Sequence, residues 1–280
     1  MSDSPLSARD LVARAHGTSP DCVALAGAVT DAIRALAGSA GERALVLTHL
    51  DAALDARTAR SKILLVASPS VPAGRALTRD ELALLIEATP EGGLVIIDES
   101  LSEFATSPRA AFAAPLLGPV HTDPRVAVVR AVSADVDSDA PPAGYAIAAP
   151  EVIAGLTPDE PTADQRTEIE RHLSPDGIDD ALDRADWIAA ERQRIERTLR
   201  DRMEKAEIDG KPFIDIVHSD GDAVWLPVGD RAAELAAVAG GTEYPGEGVR
   251  YRVGSDNDAF IDAVSEWATR PRNRAARAGA

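Results

Sequence analysis

The sequence predicts an α/β protein: a three-layer large domain around a mostly parallel sheet, followed by a small α+β domain. Three observations carry that expectation. Short apolar runs alternate with amphipathic stretches through the first half, the pattern of strands joined by crossover helices. From Pro158 to Ser174 the composition turns polar and proline-containing, as a linker or partly ordered excursion does. A long charged stretch, about Ile178 to Ala206, then leads into a second group of short apolar runs.

Taken in order, Arg43 to Leu47, Lys62 to Ala67, Leu94 to Ile97, Arg125 to Arg130 and Gly144 to Ala148 read as strands of the large domain. Between two of them, Thr78 and Glu81 form a capping box for a helix to Glu87, with Leu82, Leu84, Leu85 and Ile86 as its apolar side. In the small domain, Phe213 to Val217, Asp222 to Leu226 and Val249 to Val253 read as strands, and Arg231 to Ala239 and Asn257 to Ala268 as helices. The expected division is an N-terminal segment 1–17, a large domain 18–160, a linker 161–177, a small domain 178–268 and a basic tail 269–280.

The totals narrow the function classes. With 280 residues and 45% hydrophobic content, the chain buries a full core. Its 29 Lys and Arg against 46 Asp and Glu give a formal charge of -17, which repels phosphate backbones and anionic lipid surfaces. Neither nucleic acid nor a membrane is an expected partner. Met1 to Gly17 hold no apolar stretch of signal-peptide length, and runs such as Ile63 to Ala67 are too short to span a bilayer; a cytoplasmic location is expected. Cys22, the single cysteine, sits among Val23, Ala24 and Leu25 and reads as a small structural apolar residue.

Common catalytic signatures are missing from the sequence. It has no Gly-Lys-Ser nucleotide loop, no Gly-x-Gly-x-x-Gly, no His-Glu-x-x-His and no Gly-x-Ser-x-Gly. His16, His49, His121, His172 and His218 are scattered without ligand spacing, so they read as surface or loop residues and no metal is assigned. The acidic run Asp135-Val136-Asp137-Ser138-Asp139 lacks the glycine and glutamate of a calcium loop.

Other segments carry a resemblance. Ser68-Pro69-Ser70-Val71-Pro72-Ala73-Gly74 is similar to an Asn-Pro-Thr-Gly turn, and Val95-Ile96-Ile97-Asp98-Glu99-Ser100-Leu101 to a strand ending in Asp-Glu-Ala-Tyr. Val126 to Ser133 is similar to the strand before a Ser-Lys loop, and Ala143 to Ala148 to the strand after it. Val249-Arg250-Tyr251-Arg252-Val253-Gly254 is similar to a strand bearing a carboxylate-binding arginine. In this order, from about Leu11 to Trp267, the segments resemble the class I/II (fold type I) pyridoxal phosphate-dependent aminotransferases, in particular their histidinol-phosphate and aromatic aminotransferase branch.

That resemblance implies the aminotransferase fold and pyridoxal phosphate as cofactor, and it assigns a role to each matching position. Asp98 stands where the ring nitrogen is paired, Ser133 where a phosphate ligand sits, and Arg250 where the substrate carboxylate is held. Ala134 stands where the Schiff-base lysine belongs, Val71 and Leu101 where the ring hydroxyl has partners, and Pro142 where an arginine clamps the phosphate. Ala28-Val29-Thr30 corresponds to the phosphate-cradling turn and Asp51 to the stacking aromatic. Transamination needs an amine to bond the cofactor and to move a proton at the substrate α-carbon, and a methyl group does neither.

The residues by themselves leave other roles open. An aspartate closing an apolar strand, as Asp98 does, also serves the next turn. Ser133 is also a turn-forming loop hydroxyl, and Arg250 with Arg252 on one strand face suits a surface ion pair as well as an anion site. Glu99 and Glu103 read as ordinary exposed carboxylates. The expected function is an aminotransferase-like protein without transaminase activity, acting in binding or regulation or as a non-catalytic subunit. Its expected partner is an intact aminotransferase paralogue or a second copy, and its ligand a small carboxylate or phosphate. The alternative is a pyridoxal phosphate-dependent transaminase with an atypical site.

Overall fold

The computed structural model describes residues 6–39, 45–47, 62–107, 123–132, 143–205 and 213–269. They form two compact units. Unit 1 comprises Met1–Pro69, Ala76–Glu103 and Ser107–Asp183, and unit 2 comprises Ser70–Arg75, Phe104–Thr106 and Arg184–Ala280.

Unit 1 is built on six strands: β1 (Val23–Ala26), β2 (Leu45–Leu47), β3 (Ile63–Ala67), β4 (Leu94–Asp98), β5 (Val126–Ala131) and β6 (Gly144–Ala148). Their order across the sheet is β1-β6-β5-β4-β3-β2. The β2-β3, β3-β4 and β4-β5 pairs are parallel, whereas β6 runs antiparallel to both β5 and β1. The mostly parallel α/β sheet expected from the sequence is therefore present. The central strands read as unbroken apolar runs because helices cover both faces, so most residues of β1, β4, β5 and β6 are buried whichever way they point, whereas Val46 on the edge strand β2 is exposed.

Alternation divides those residues between two cores. Val23, Leu25, Leu64, Val66, Val95, Ile97, Val126, Val128, Tyr145 and Ile147 face α1 (Ala8–Ala15), α3 (Arg79–Ala88) and Ile169 of α5 (Ala163–His172). On the other side, Ala24, Ala26, Ala127, Ala146 and Ala148 meet α2 (Val29–Ser39) and the short α4 (Pro150–Ile153). The small side chains let α2 approach closely. At Gly144, an added Cβ would lie 2.7 Å from the Val29 nitrogen and 2.8 Å from its Cα, so glycine is required there for packing.

Two expectations need correction. The stretch read as a linker holds α5, whose Thr162 hydroxyl accepts from Gln165 N at 3.2 Å while Thr162 N donates to the Gln165 side chain at 2.9 Å. This capping box offsets the polar composition. Phe213 to Val217, expected as a strand, forms no strand; Phe213 instead meets Trp267 edge to face at 5.7 Å, so burial of the aromatic explains the apolar run without a ladder.

Unit 2 takes α6 (Pro175–Lys205) from Arg184 onward, with β7 (Ala223–Leu226), α7 (Ala232–Ala239), β8 (Thr242–Tyr244), β9 (Gly248–Arg252) and α8 (Asn257–Thr269). The antiparallel sheet has the order β7-β9-β8. Trp267 of α8 is 1% exposed, and Arg231 lies over its ring at 4.4 Å. Two segments from the first half belong to this unit. Arg192 of α6 donates to the Phe104 carbonyl at 2.9 Å, the Thr106 hydroxyl at 3.0 Å and the Gly221 carbonyl. Asp220 N donates to Gly74 O at 2.6 Å, and Gly74, at φ +70°, packs so closely on Ser219 that a side chain would collide with its hydroxyl.

Two glycine substitutions test this packing. Gly144→Ala is expected to lower stability by about 1–3 kcal/mol through overpacking against α2. Gly38→Ala, with nothing within 4 Å, is expected to raise it by up to about 1 kcal/mol through helix propensity. Urea denaturation of both variants checks the opposite signs.

Candidate functional site

In unit 1 the parallel ladder aligns Ala67, Asp98 and Val129 at the carboxyl ends of β3, β4 and β5, the end at which open α/β sheets bind ligands. Asp98 has the strand parity of Leu94 and Ile96, which places it toward the α2 face. One carboxylate oxygen accepts from Ser100 N at 3.0 Å and from the Ser100 hydroxyl at 2.5 Å. This is the geometry of a side chain that shapes the turn after its strand.

Glu99, expected as an exposed carboxylate, is 1% exposed and faces the opposite side. It accepts from Arg130 Nε at 3.1 Å and Nη2 at 2.6 Å. A buried charge requires such a partner. Arg130 stands opposite Tyr145 on β6, and the Tyr145 hydroxyl lies 2.9 Å from His16 Nε2 at the end of α1. Burial, reinforced by Arg130, lowers the His16 pKa to about 4, and burial raises that of Tyr145 to about 12. His16 is thus a neutral, part-buried residue at the C-terminal cap of α1. Only the residue parity of β4 and β5 could have signalled the Glu99–Arg130 pair from sequence.

In unit 2, Arg250 and Arg252 lie on β9 and both grip Asp222, which is 3% exposed. Arg250 Nη2 donates to one oxygen of Asp222, and Arg252 Nε donates to the other at 3.0 Å. Two guanidinium groups on one carboxylate leave a surplus positive charge, and the Arg250 side chain is 17% exposed. Alongside, His218 contacts Glu196 at 3.1 Å and Asp220 at 3.4 Å; hydrogen bonds to Asp220 and then Glu196 raise its pKa to about 9. Asp98 and Arg250 belong to different units. Ser133 lies outside the described residues, as do Ala134, Pro142, Asp51 and the Asp135 to Asp139 run.

The side chains bearing on a Schiff base are few. Lys62 is the one lysine in the sequence of unit 1, and its carbonyl accepts from Leu94 N at the amino end of β3. Asp98 pairs with Ala67 at the other end. Five residues of strand, about 16 Å, separate the two levels, further than the four-carbon stem of a lysine extends. Leu101 and Val71 offer no side-chain hydrogen bond at the positions expected to serve the ring hydroxyl.

A two-faced α/β sheet with an aspartate at the carboxyl end of a central strand, together with an antiparallel unit bearing a paired arginine, defines the class to which this molecule belongs. The model of the family aminotransferase class I and II matches residues 15–238, and the chain belongs to that family. The aromatic amino acid aminotransferase of Mycolicibacterium vanbaalenii is 30% identical over 227 residues, covering 78% of this chain and 61% of that protein. The one from Thermobifida fusca is 28% identical over 236 residues, covering 80% and 61%. This chain therefore spans about three fifths of the length of these curated relatives.

Among solved structures, the Thermus thermophilus aspartate aminotransferase tetra mutant aligns with a TM-score of 0.75 at 14% identity, covering 93% of this chain and 85% of that one. Histidinol-phosphate aminotransferase from Sinorhizobium meliloti, in complex with pyridoxal 5'-phosphate, aligns with a TM-score of 0.70 at 18% identity, covering 93% and 80%. These likenesses establish the shared fold.

The two histidines predict opposite pH dependences. His16 has a folded pKa of about 4, below the value of about 6.5 in an unfolded chain. The unfolded state therefore takes up its proton first, and stability falls as the pH drops from 6.5 toward 4. His218, at about 9 when folded, contributes fully below pH 6.5 and loses that contribution as the pH rises through 9. His16→Gln is expected to flatten the acid limb of a stability-against-pH curve, and His218→Gln the alkaline limb, in urea titrations from pH 4 to 10. Arg130→Met, which removes the guanidinium from buried Glu99, is expected to cost about 3–5 kcal/mol, and the pair Glu99→Gln with Arg130→Met to recover most of it.

Proposed function

We propose that this aminotransferase-family chain does not transaminate and serves as a binding or regulatory protein, or as the non-catalytic partner of an intact aminotransferase or of a second copy of itself. The observation that carries this reading is the absence of an amine near Asp98 in unit 1, where Lys62 stands about 16 Å away along the sheet and Ala134 occupies the expected lysine position. The residues present do not fit a covalently held pyridoxal phosphate. Leu101 and Val71, without hydrogen-bonding side chains, point the same way.

A small carboxylate suits Arg250, whose partly exposed guanidinium shares Asp222 with Arg252 and so retains net positive charge. No helix among the described residues is long and apolar enough to cross a membrane. The second reading is a pyridoxal phosphate-dependent transaminase of an amino acid or amino-acid phosphate with an atypical site. It draws on Asp98 at the carboxyl end of β4 and on relatives named aromatic amino acid aminotransferases.

Purified protein mixed with pyridoxal phosphate is expected to show no aldimine absorbance band. After borohydride reduction, mass spectrometry is expected to find no specific label on Lys62, Lys205 or Lys211. A band with one lysine selectively labelled would establish the transaminase reading instead.

A further inference from the structure

A cavity of about 330 Å³ lies in unit 1 along the outer edge of β1, at the small end of the range for ligand pockets. Asp98 and Glu99 are not among its walls. Ile153, Leu156 and Pro158 form an apolar side, Arg9, Asp21 and Glu160 contribute charge, and Leu25 of β1 forms part of the floor.

The backbone of Leu25 gives this cavity its chemistry. β1 is the edge of its sheet and pairs only with β6 among the described strands, with Leu25 opposite Tyr145. Val132 N donates to Ala143 O across the β5-β6 pair, and alternation then directs the backbone groups of Tyr145 toward β5 and away from β1. The Leu25 N–H and C=O consequently point outward. Neighbouring contacts require the same parity: Val23 N donates to Pro20 O, Gly27 N donates to Asp159 O at 2.8 Å, and Gly27 O accepts from Gln165 Nε2 at 2.7 Å.

Both flanking residues are thus engaged on the outer edge, while Leu25, 8% exposed, has a donor and an acceptor with no partner among the described residues. Buried backbone groups are nearly always satisfied by protein, water or ligand. The closed flanks also exclude the addition of a long strand. The opening accepts a single residue that presents its own N–H and an acceptor on one side, as in the two-bond exchange of an antiparallel pair.

We propose that this cavity binds a small N-acylated α-amino acid. The amide N–H donates to Leu25 C=O, the carboxylate accepts from Leu25 N–H with Arg9 as counter-charge, and the side chain or acyl group lies on the Ile153–Leu156 wall. Glu160 is paired with Arg166 at 2.8 Å, which offsets its charge, and Asp21 disfavours ligands with a second negative charge. Neither Asp98 nor Arg250 lines the cavity, and binding there does not depend on whether the protein transaminates.

The test is a titration of leucine-¹⁵N-labelled full-length protein with N-acetylalanine, following the Leu25 amide resonance. That resonance is expected to shift saturably at millimolar ligand or below, with Arg9→Gln and Ala154→Trp each weakening binding at least fivefold while the rest of the spectrum stays folded. N-acetyl-N-methylalanine, which lacks the amide donor, is expected to bind at least fivefold more weakly. A Leu25 amide that stays still throughout the N-acetylalanine titration, or a shift that both variants and the methylated analogue leave unchanged, overturns the proposal.

Discussion

Neighbouring residues on a strand must face opposite sides of the sheet, and at the end of β4 this rule sends Asp98 and Glu99 to different environments. Asp98 goes toward the alanine-lined face beneath α2 and shapes its turn through Ser100. Glu99 goes to the face of larger side chains, where the matching parity of β5 supplies Arg130. The same alternation, carried through β6 to β1, sets which backbone groups of the edge strand meet one another and which face outward. A one-residue slip anywhere in this ladder would exchange the two cores and leave Glu99 without its cation.

The chain is strongly acidic, yet among the described residues each buried carboxylate has donors. Glu99 has Arg130; Asp222 has Arg250 and Arg252; Glu196 and Asp220 accept backbone N–H groups and also contact His218. The other acidic side chains among the described residues are part-buried or exposed, where solvent and salt screen them. The interior is selective in its use of arginine. A guanidinium reaches several acceptors at fixed angles, and Arg192 uses that reach to hold carbonyls from two separate segments.

Much of the sheet was legible in the sequence because doubly covered strands are continuous apolar runs. Gly144–Ala148 matches its expected bounds, and Leu94–Asp98 and Val126–Ala131 differ by a residue or so, the usual uncertainty of strand ends. Strand β1 was not expected, since four residues beginning beside Cys22 make too short a run to distinguish from a buried turn. Helix α5 was hidden by its composition, although Thr162 and Gln165 carried its start signal. The order of motifs identified the family, and the turn role of Asp98 was local, but the partners of Glu99 and Arg250 depend on cross-strand neighbours and on segments far apart in sequence. Local reading could not pair Arg130 with Glu99 or Asp222 with two arginines.

The grouping of Ser70–Arg75 and Phe104–Thr106 with the C-terminal unit bears on how the chain can be divided. Unit 2 is discontinuous in sequence, and no single cut releases it whole. A fragment beginning at Arg184 would lack the Gly74 carbonyl that Asp220 N meets and the Phe104 and Thr106 acceptors of Arg192, leaving a fully buried guanidinium short of partners. The N-terminal remainder would in turn carry two loops stripped of their anchors. Folding of the C-terminal unit therefore draws on residues synthesised well before most of it.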